Sequence, residues 1–488
     1  MEQLTPGEWA KEQLKRAPSF AIATAIVAGL LVLSTFIEYS QAHARPRRLD
    51  PVEADLADEK PPEIEEIKEQ IDPEKPELER AENAPEVEEQ DVAPIDAPID
   101  GEVTVDHEFT EDVTSDVTEP SDPFPMSITK RMATIGTNPG RGGFRGVLGN
   151  RSKAGKRRAA HRFGMPKGTD KAILAGLRWL KRTQNKQTGG WEAEKFEGRR
   201  GVSRGVSGLA LLAFLGFGCT DKQPREFAKT VRLAMQYLAD SQQSEGDRKG
   251  WFGEQMYTQG ICTMALAEAY AMTGNKHARR AAQEGLNYII SKQPPHGAFS
   301  YGGPGNDVSV TGFQIQAIKS AFVAGLDVPK VAKERTDRFL QICMAKNYSV
   351  PYRINPNATV QGGGKLSMTA AALTGRLFMG RKRTARDCKG QAEYIISNDQ
   401  HVRVGQAASN YYVVYYLSLA MFNMGGKYWK SWNKAFNSPL RARQAQQGPD
   451  VGSWPGGGAG GKVFATAMSC LALEVYFRYL PTYKDIRH

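Results

Sequence analysis

The sequence predicts an all-α protein: an α/α toroid of six helical hairpins, preceded by one transmembrane helix and a disordered linker. Three observations carry that expectation. One long uncharged apolar segment lies near the N-terminus, an acidic Pro-rich arm precedes a basic body, and a loop pattern of glutamine, glycine and an aromatic ring recurs through the remainder of the chain. The expected divisions are 1–18 for a cytoplasmic N-terminus, 19–40 for the transmembrane helix, 41–135 for an acidic tether, 136–168 for a basic Gly/Arg-rich linker and 169–488 for the toroid.

The segment SFAIATAIVAGLLVLSTFI, Ser19 to Ile37, is uncharged over about 19 residues, the helix length that crosses a hydrocarbon core of ~30 Å. A cleaved signal peptide is the alternative, because QAHA after Ser40 mimics a cleavage site. Lys11, Lys15 and Arg16 before the segment are balanced by Arg45, Arg47 and Arg48 after it. The orientation therefore only leans, towards a toroid on the extracytoplasmic side. The net charge of +10 hides two opposed parts, since Asp50 to Asp122 holds about 28 acidic and about 4 basic side chains. Such a stretch cannot bury enough apolar surface to offset the entropy of ordering and should be an extended tether. From Gly136 to Gly168 the sign reverses, with about nine Lys or Arg and no acid. Its GRGGFRG resembles an RNA-binding segment. Beside an anchor and an acidic arm, the expected partners are instead anionic lipid, a cell-surface polymer or the chain's own tether, and not nucleic acid.

The repeat begins with GLRWLKRTQNKQTGGWE, in which an amphipathic helix ends near Gln184 and runs through Gly189 and Gly190 into Trp191. Further copies place Gln242 and Gln243 before Trp251, Gln293 before Phe299, and Gln444 to Gln447 before Trp454. Weak copies supply Tyr352, and Gln400 with Gly405. A period of roughly 50 to 60 residues suits a two-helix unit with loops. The pairs Gln184 and Trp191, Gln243 and Trp251, and Gln293 and Phe299, with Trp454 closing the series, are expected to be structural. The glutamine amide would satisfy exposed backbone at a helix end, glycine would permit the reversal, and the ring would cover the junction.

Between these loops lie six more apolar segments rich in small residues, from GVSGLALLAFLGFG to VFATAMSCLALEVYFRYL, five of them ending in glycine, the usual helix C-cap. Apolar nearly all round, they read as inner helices, whereas REFAKTVRLAMQYLADSQ has one charged face and reads as an outer one. Closing six outer and six inner helices into a double ring buries faces that a single hairpin would leave exposed. The five cysteines are far apart and form no CxxC pair, so they are expected as free core residues rather than a metal or disulfide framework.

Outer helix, Gln, Gly, Trp and a small-residue inner helix together resemble the prenyltransferase and squalene-oxidase (QW) repeat of terpenoid cyclases and protein prenyltransferase β subunits, over roughly Gly168 to Pro481. The resemblance implies the toroid. For activity it implies little, because polysaccharide lyases and complement-type thioester domains share the fold. Cyclases of this kind use a protonating aspartate in a DxDD motif, which is absent, and the toroid holds about 22 acids among about 43 basic residues. Prenyltransferases bind zinc through Asp, Cys and His. Asp307 could project from such a position, but no DxC follows it and the histidines have no zinc spacing. Asp307 is read as a helix N-cap. GWFGEQMY is similar to a thioester loop but has Phe252 where the cysteine would stand, so Glu254 and Gln255 are read as helix-start residues. No cofactor or metal is expected. The cavity-lining candidates are Arg204, Tyr257, Gln259, Asp307, Lys365, Tyr411 and Tyr412. The functional expectation is a membrane-anchored, non-catalytic toroid that binds a lipid, peptide or anionic polymer. The alternative is an enzyme of the isoprenoid cyclase, prenyltransferase or polysaccharide lyase type, with tyrosines as sugar platforms or general bases.

Overall fold

The computed structural model describes residues 146–357 and 361–478. The expected transmembrane helix, the acidic tether and the start of the basic linker lie outside the described residues. Among the described residues no helix is long and apolar enough to cross a membrane.

Six inner helices form the ring: α3 (Ser203–Gly216), α5 (Met256–Thr273), α7 (Val308–Val323), α9 (Leu366–Phe378), α12 (Tyr411–Met424) and α14 (Gly461–Leu473). Each packs on the next, and α14 packs back on α3, which closes the circle. Six outer helices alternate with them: α2 (Thr169–Thr183), α4 (Arg225–Asp240), α6 (Lys276–Lys292), α8 (Lys330–Ile342), α10 (Arg386–Ile396) and α13 (Gly426–Ala442). The division follows the pattern of apolar residues. In α4 only Phe227, Thr230, Val231, Ala234, Met235, Leu238 and Ala239 are buried, one stripe at helical spacing, whereas in α5 every residue but Ala271 and Thr273 is buried. A two-residue hairpin, β1 (Phe299–Ser300) with β2 (Gly303–Pro304), sits before α7.

The loops entering four of the inner helices, α3, α5, α7 and α14, share one geometry. The Gln184 amide donates to Gly189 O at 2.8 Å and to Thr230 O on the next outer helix at 3.0 Å. Gln444 does the same to Gly452 O and to Ala172 O on α2, both at 2.8 Å, so the last hairpin is tied to the first. Gly452 has φ +94°, and a Cβ there would meet Ala175 O at 2.3 Å. Glycine is needed both for its left-handed backbone and for this close approach. Two residues on, the Trp454 indole donates to Leu440 O, as Trp191 does to Leu180 O. The glutamine thus bridges neighbouring outer helices rather than capping its own.

Several expectations are corrected by these contacts. In the second hairpin Gln242, not Gln243, donates to Gly250 O and Ala281 O, and the Gln243 side chain is exposed. The fully buried ring two residues after Gly250 is Phe252. Trp251 is half-buried instead, against Tyr288 at 5.0 Å. Gln293 and Phe299 occupy the staple positions of the third hairpin, with Gln293 donating to Ala332 O and Thr336 Oγ1. In the fourth, Tyr348 takes the left-handed position and Val350 the buried one, not Tyr352. Gln400 and Gly405 lie inside an additional helix, α11 (Gln400–Ala407), packed on α13; there Gly405 leaves room for Ala435.

The domain also begins earlier than position 169. A 3-10 turn (Gly146–Arg151) leads into α1 (Lys153–Arg162), which packs under the ring against the short terminal helix α15 (Val475–Arg478). Ser152 caps α1, while Trp429 and Asn433 of α13 donate to Phe163 O and Gly164 O just past its end. The expected basic linker is therefore part of the folded domain from Gly146 onward. All five cysteines are buried and free.

Candidate functional site

All six inner helices start at the same end of the ring, and their first turns form its mouth. There a small apolar depression of about 40 Å³ is walled by Val206 and Leu209 of α3, Tyr257 and Ile261 of α5, Phe313 of α7, Tyr412 of α12 and Phe464 of α14. Small residues bring these helices together: a Cβ on Gly208 would meet Ile261 Cγ2 at 2.8 Å, and one on Gly312 would meet Tyr416 Oη at 2.8 Å.

The carboxylates nearest the mouth are held by helix ends. Glu254, with φ +63°, accepts from Arg204 N at 2.9 Å and Gly205 N at 3.3 Å, and from the Thr258 hydroxyl at 2.7 Å. It caps α3 from the loop before α5, a stronger interaction than a neutral cap because the charge opposes the helix dipole. Asp307 accepts from Ser309 N at 2.9 Å and Val310 N at 3.0 Å, and so caps α7. The Ser309 hydroxyl also donates to Asp307 Oδ1 at 2.6 Å and accepts from Tyr257 Oη at 2.5 Å. Tyr352 and Tyr301, whose hydroxyls lie 3.2 Å apart, extend this chain of hydroxyls along one edge.

Below the depression the axis of the ring is filled. Phe313 lies 5.7 Å from Tyr257, 6.3 Å from Tyr412 and 5.8 Å from Tyr416 between ring centroids. Gln316 donates to Tyr416 Oη at 2.9 Å and accepts from Tyr415 Oη at 2.7 Å, and burial pushes the Tyr415 phenol up. Arg478 donates to Tyr415 Oη at 3.2 Å and to Glu268 at 3.2 Å. From the other side Arg151 donates to Glu268 at 2.8 Å, to Arg478 O at 2.8 Å and to Leu215 O at 3.2 Å. This buried Arg–Glu–Arg network shuts the base. Glu474 lies beside it with both carboxylate oxygens buried and unbonded among the described residues. Burial pushes its pKa well up, against the pull of Arg478, Arg151 and Lys156.

The candidates read from sequence divide accordingly. Tyr257 and Tyr412 line the depression. Asp307 sits at its edge through Ser309, and the backbone N–H of Arg204 is tied to Glu254. Tyr411 is buried and donates to Pro455 O, and burial raises its phenol pKa. Lys365 is exposed at the start of α9. Gln259 points away from the mouth: it accepts from Phe252 N at 3.0 Å and donates to Gly250 O and Gly285 O. In that place it does what Ser207, Thr311, Thr369 and Thr466 do in other hairpins, each accepting from the backbone N–H of the buried staple residue. Arg151, Glu268 and Arg478 were missed. The signal available was a single acid in the apolar run of α5 and a Glu–Arg pair four residues apart in LALEVYFRYL.

No family profile matches the chain, and no curated protein matches it. Among solved structures it is similar to a novel alpha-amylase from Clostridium perfringens, with 11% identity and a TM-score of 0.46 over 64% of this chain and 99% of that one. It is also similar to the cellobiose 2-epimerase from Spirochaeta thermophila DSM 6192, with 11% identity and a TM-score of 0.47 over 67% of this chain and 98% of that one. The ring rests on its own helix packing, above all that of α14 on α3.

Proposed function

We propose that this protein is a binding toroid of the terpenoid cyclase and prenyltransferase type, whose mouth holds the apolar part of a lipid or peptide ligand without converting it. One observation carries this reading: the axis is packed with side chains below a shallow apolar depression, so a ligand group is received at the mouth only. Enzyme pockets instead pair a deep apolar cavity with convergent polar groups. Here Glu254 and Asp307 are engaged as caps, each accepting from two backbone N–H groups at the start of an inner helix. The basic excess of the toroid supports an acidic ligand or an anionic polymer as a further partner. The proposal includes a single-pass membrane anchor at 19–40 and a toroid on the extracytoplasmic side; flotation of the full chain with membranes, lost on deleting 19–40, tests the anchor.

The direct experiment is native mass spectrometry of the full chain purified from its source membrane. A co-purifying acyl or peptide species is expected, lost when Val206→Phe puts a ring into the depression. A species retained by that variant would contradict a site at the mouth. A second reading, an enzyme, is favoured by the hydroxyl chain from Tyr257 through Ser309 to Asp307, which could carry a proton at the mouth's edge. Conversion of a saccharide or isoprenoid that is abolished by Tyr257→Phe would establish it.

A further inference from the structure

The underside of the ring carries a surface the mouth does not use. Helix α1 buries Gly155 and Ala159 against the domain, and Lys156 is turned inward, donating to Phe217 O at 2.8 Å with its ammonium 3.7 Å from the Phe217 ring. The opposite face exposes Lys153, Arg157, Arg158, His161 and Arg162. Among the described residues no carboxylate pairs with any of them, and the chain has no acid from Gly136 to Gly168. The face is rigidly presented, because Arg151 locks the start of the helix into the base while Trp429 and Asn433 hold the chain just past its end. Lys430 and Lys434, also exposed, flank the Asn433 contact and extend the positive field onto α13.

We propose that this face is the docking surface for the acidic segment Asp50–Asp122 of the same chain. Charge complementarity argues for that occupant: about 28 acidic side chains against about 4 basic ones face a helix surface that has cations only. The length of chain between them also fits. Roughly two dozen residues separate Asp122 from Gly146, and a flexible chain of that length spans on the order of 27 Å. Such a tether holds its two ends at an effective concentration of the order of millimolar. A multivalent contact of weak pairs is then closed at low ionic strength and opened by salt, because the pairs are exposed and screened beyond ~10 Å at 0.1 M.

The test measures phenylglyoxal modification of Arg157 and Arg158 by mass spectrometry in the intact full chain, at about 20 mM and about 500 mM salt. The comparison chain has the acids of 50–122 changed to Asn and Gln. At low salt the parent is expected to be modified at least ~10-fold more slowly than the neutralised chain, with the difference lost at high salt. Carbodiimide cross-links should join Lys153 to acids within 50–122 and vanish in the neutralised chain. Equal modification rates in the two chains at low salt would overturn the proposal. So would protection that appears only when vesicles rich in phosphatidylserine are added, which would assign the face to anionic lipid. Arg178, paired with Glu226 on the side of the ring, serves as the internal reference; a matching change there would mean general electrostatics, and that too would overturn it.

Discussion

The two ends of the ring solve the same problem, closing six converging helices, with opposite chemistry. At the base two guanidinium groups and a carboxylate are fully buried, bonded to each other and to carbonyls of the inner helices. At the mouth the carboxylates are spent on helix N-termini and the centre is left apolar and partly open. A buried ion network adds little net stability relative to an apolar plug but is costly to break, so it fixes one arrangement. An apolar depression fixes nothing by itself and is available to a ligand. The base therefore specifies the ring, and the mouth is where a ligand is proposed to bind.

The difference can be broken first at the base. Arg151→Ala leaves Glu268 facing one guanidinium instead of two and frees the segment before α1, at a cost of about 3–5 kcal/mol, a fall in melting temperature on the order of 10 °C. Calorimetry that finds Arg151→Ala as stable as the parent would remove the base from the account. Next are the staples that join the outer helices. Gly452→Ala places a Cβ in the left-handed region 2.3 Å from Ala175 O and should cost about 2–4 kcal/mol. A smaller contrast separates neighbours: Gln242→Ala loses two carbonyl partners, worth about 1–3 kcal/mol, while Gln243→Ala at an exposed site should stay within ~0.5 kcal/mol. Denaturant midpoints of the two variants decide it, and equal losses would contradict the assignment.

How much of this could be read from the chain depends on whether a feature repeats. The ring was legible because four hairpins share glutamine, glycine and a large apolar residue, and because the inner helices are apolar all round. The shift from Gln243 to Gln242, and from Trp251 to Phe252, was not legible. The staple is counted from the left-handed glycine, Gly250, and not from the nearest tryptophan. Gln259 was misread for a related reason: its role is set by the Phe252 backbone across a turn, and a serine or threonine does that work elsewhere. The base was missed because Arg151 stands in a stretch whose composition reads as linker, and only three-dimensional closure brings it to Glu268, 117 positions away.

A subtler effect sharpens the base further. The Glu474 carboxylate is buried with no hydrogen-bond partner among the described residues, and burial raises its folded pKa above the unfolded value. The folded state then binds the proton more tightly, so the stability it contributes is present below the ordinary carboxylate range and declines as pH rises towards the raised folded value. Glu474→Gln should flatten that decline and be neutral or stabilising at pH 7, whereas a melting temperature equally pH-dependent in both proteins would assign the slope elsewhere.

The central claim is that the mouth holds a ligand and leaves it unchanged. The measurement that meets it most directly is native mass spectrometry of the full chain with its co-purified ligand, recorded on isolation and again after hours of incubation at working temperature. The account predicts one bound species of constant mass, displaced in Val206→Phe. A mass that shifts with time in the parent and not in Tyr257→Phe would contradict it and make the ring an enzyme.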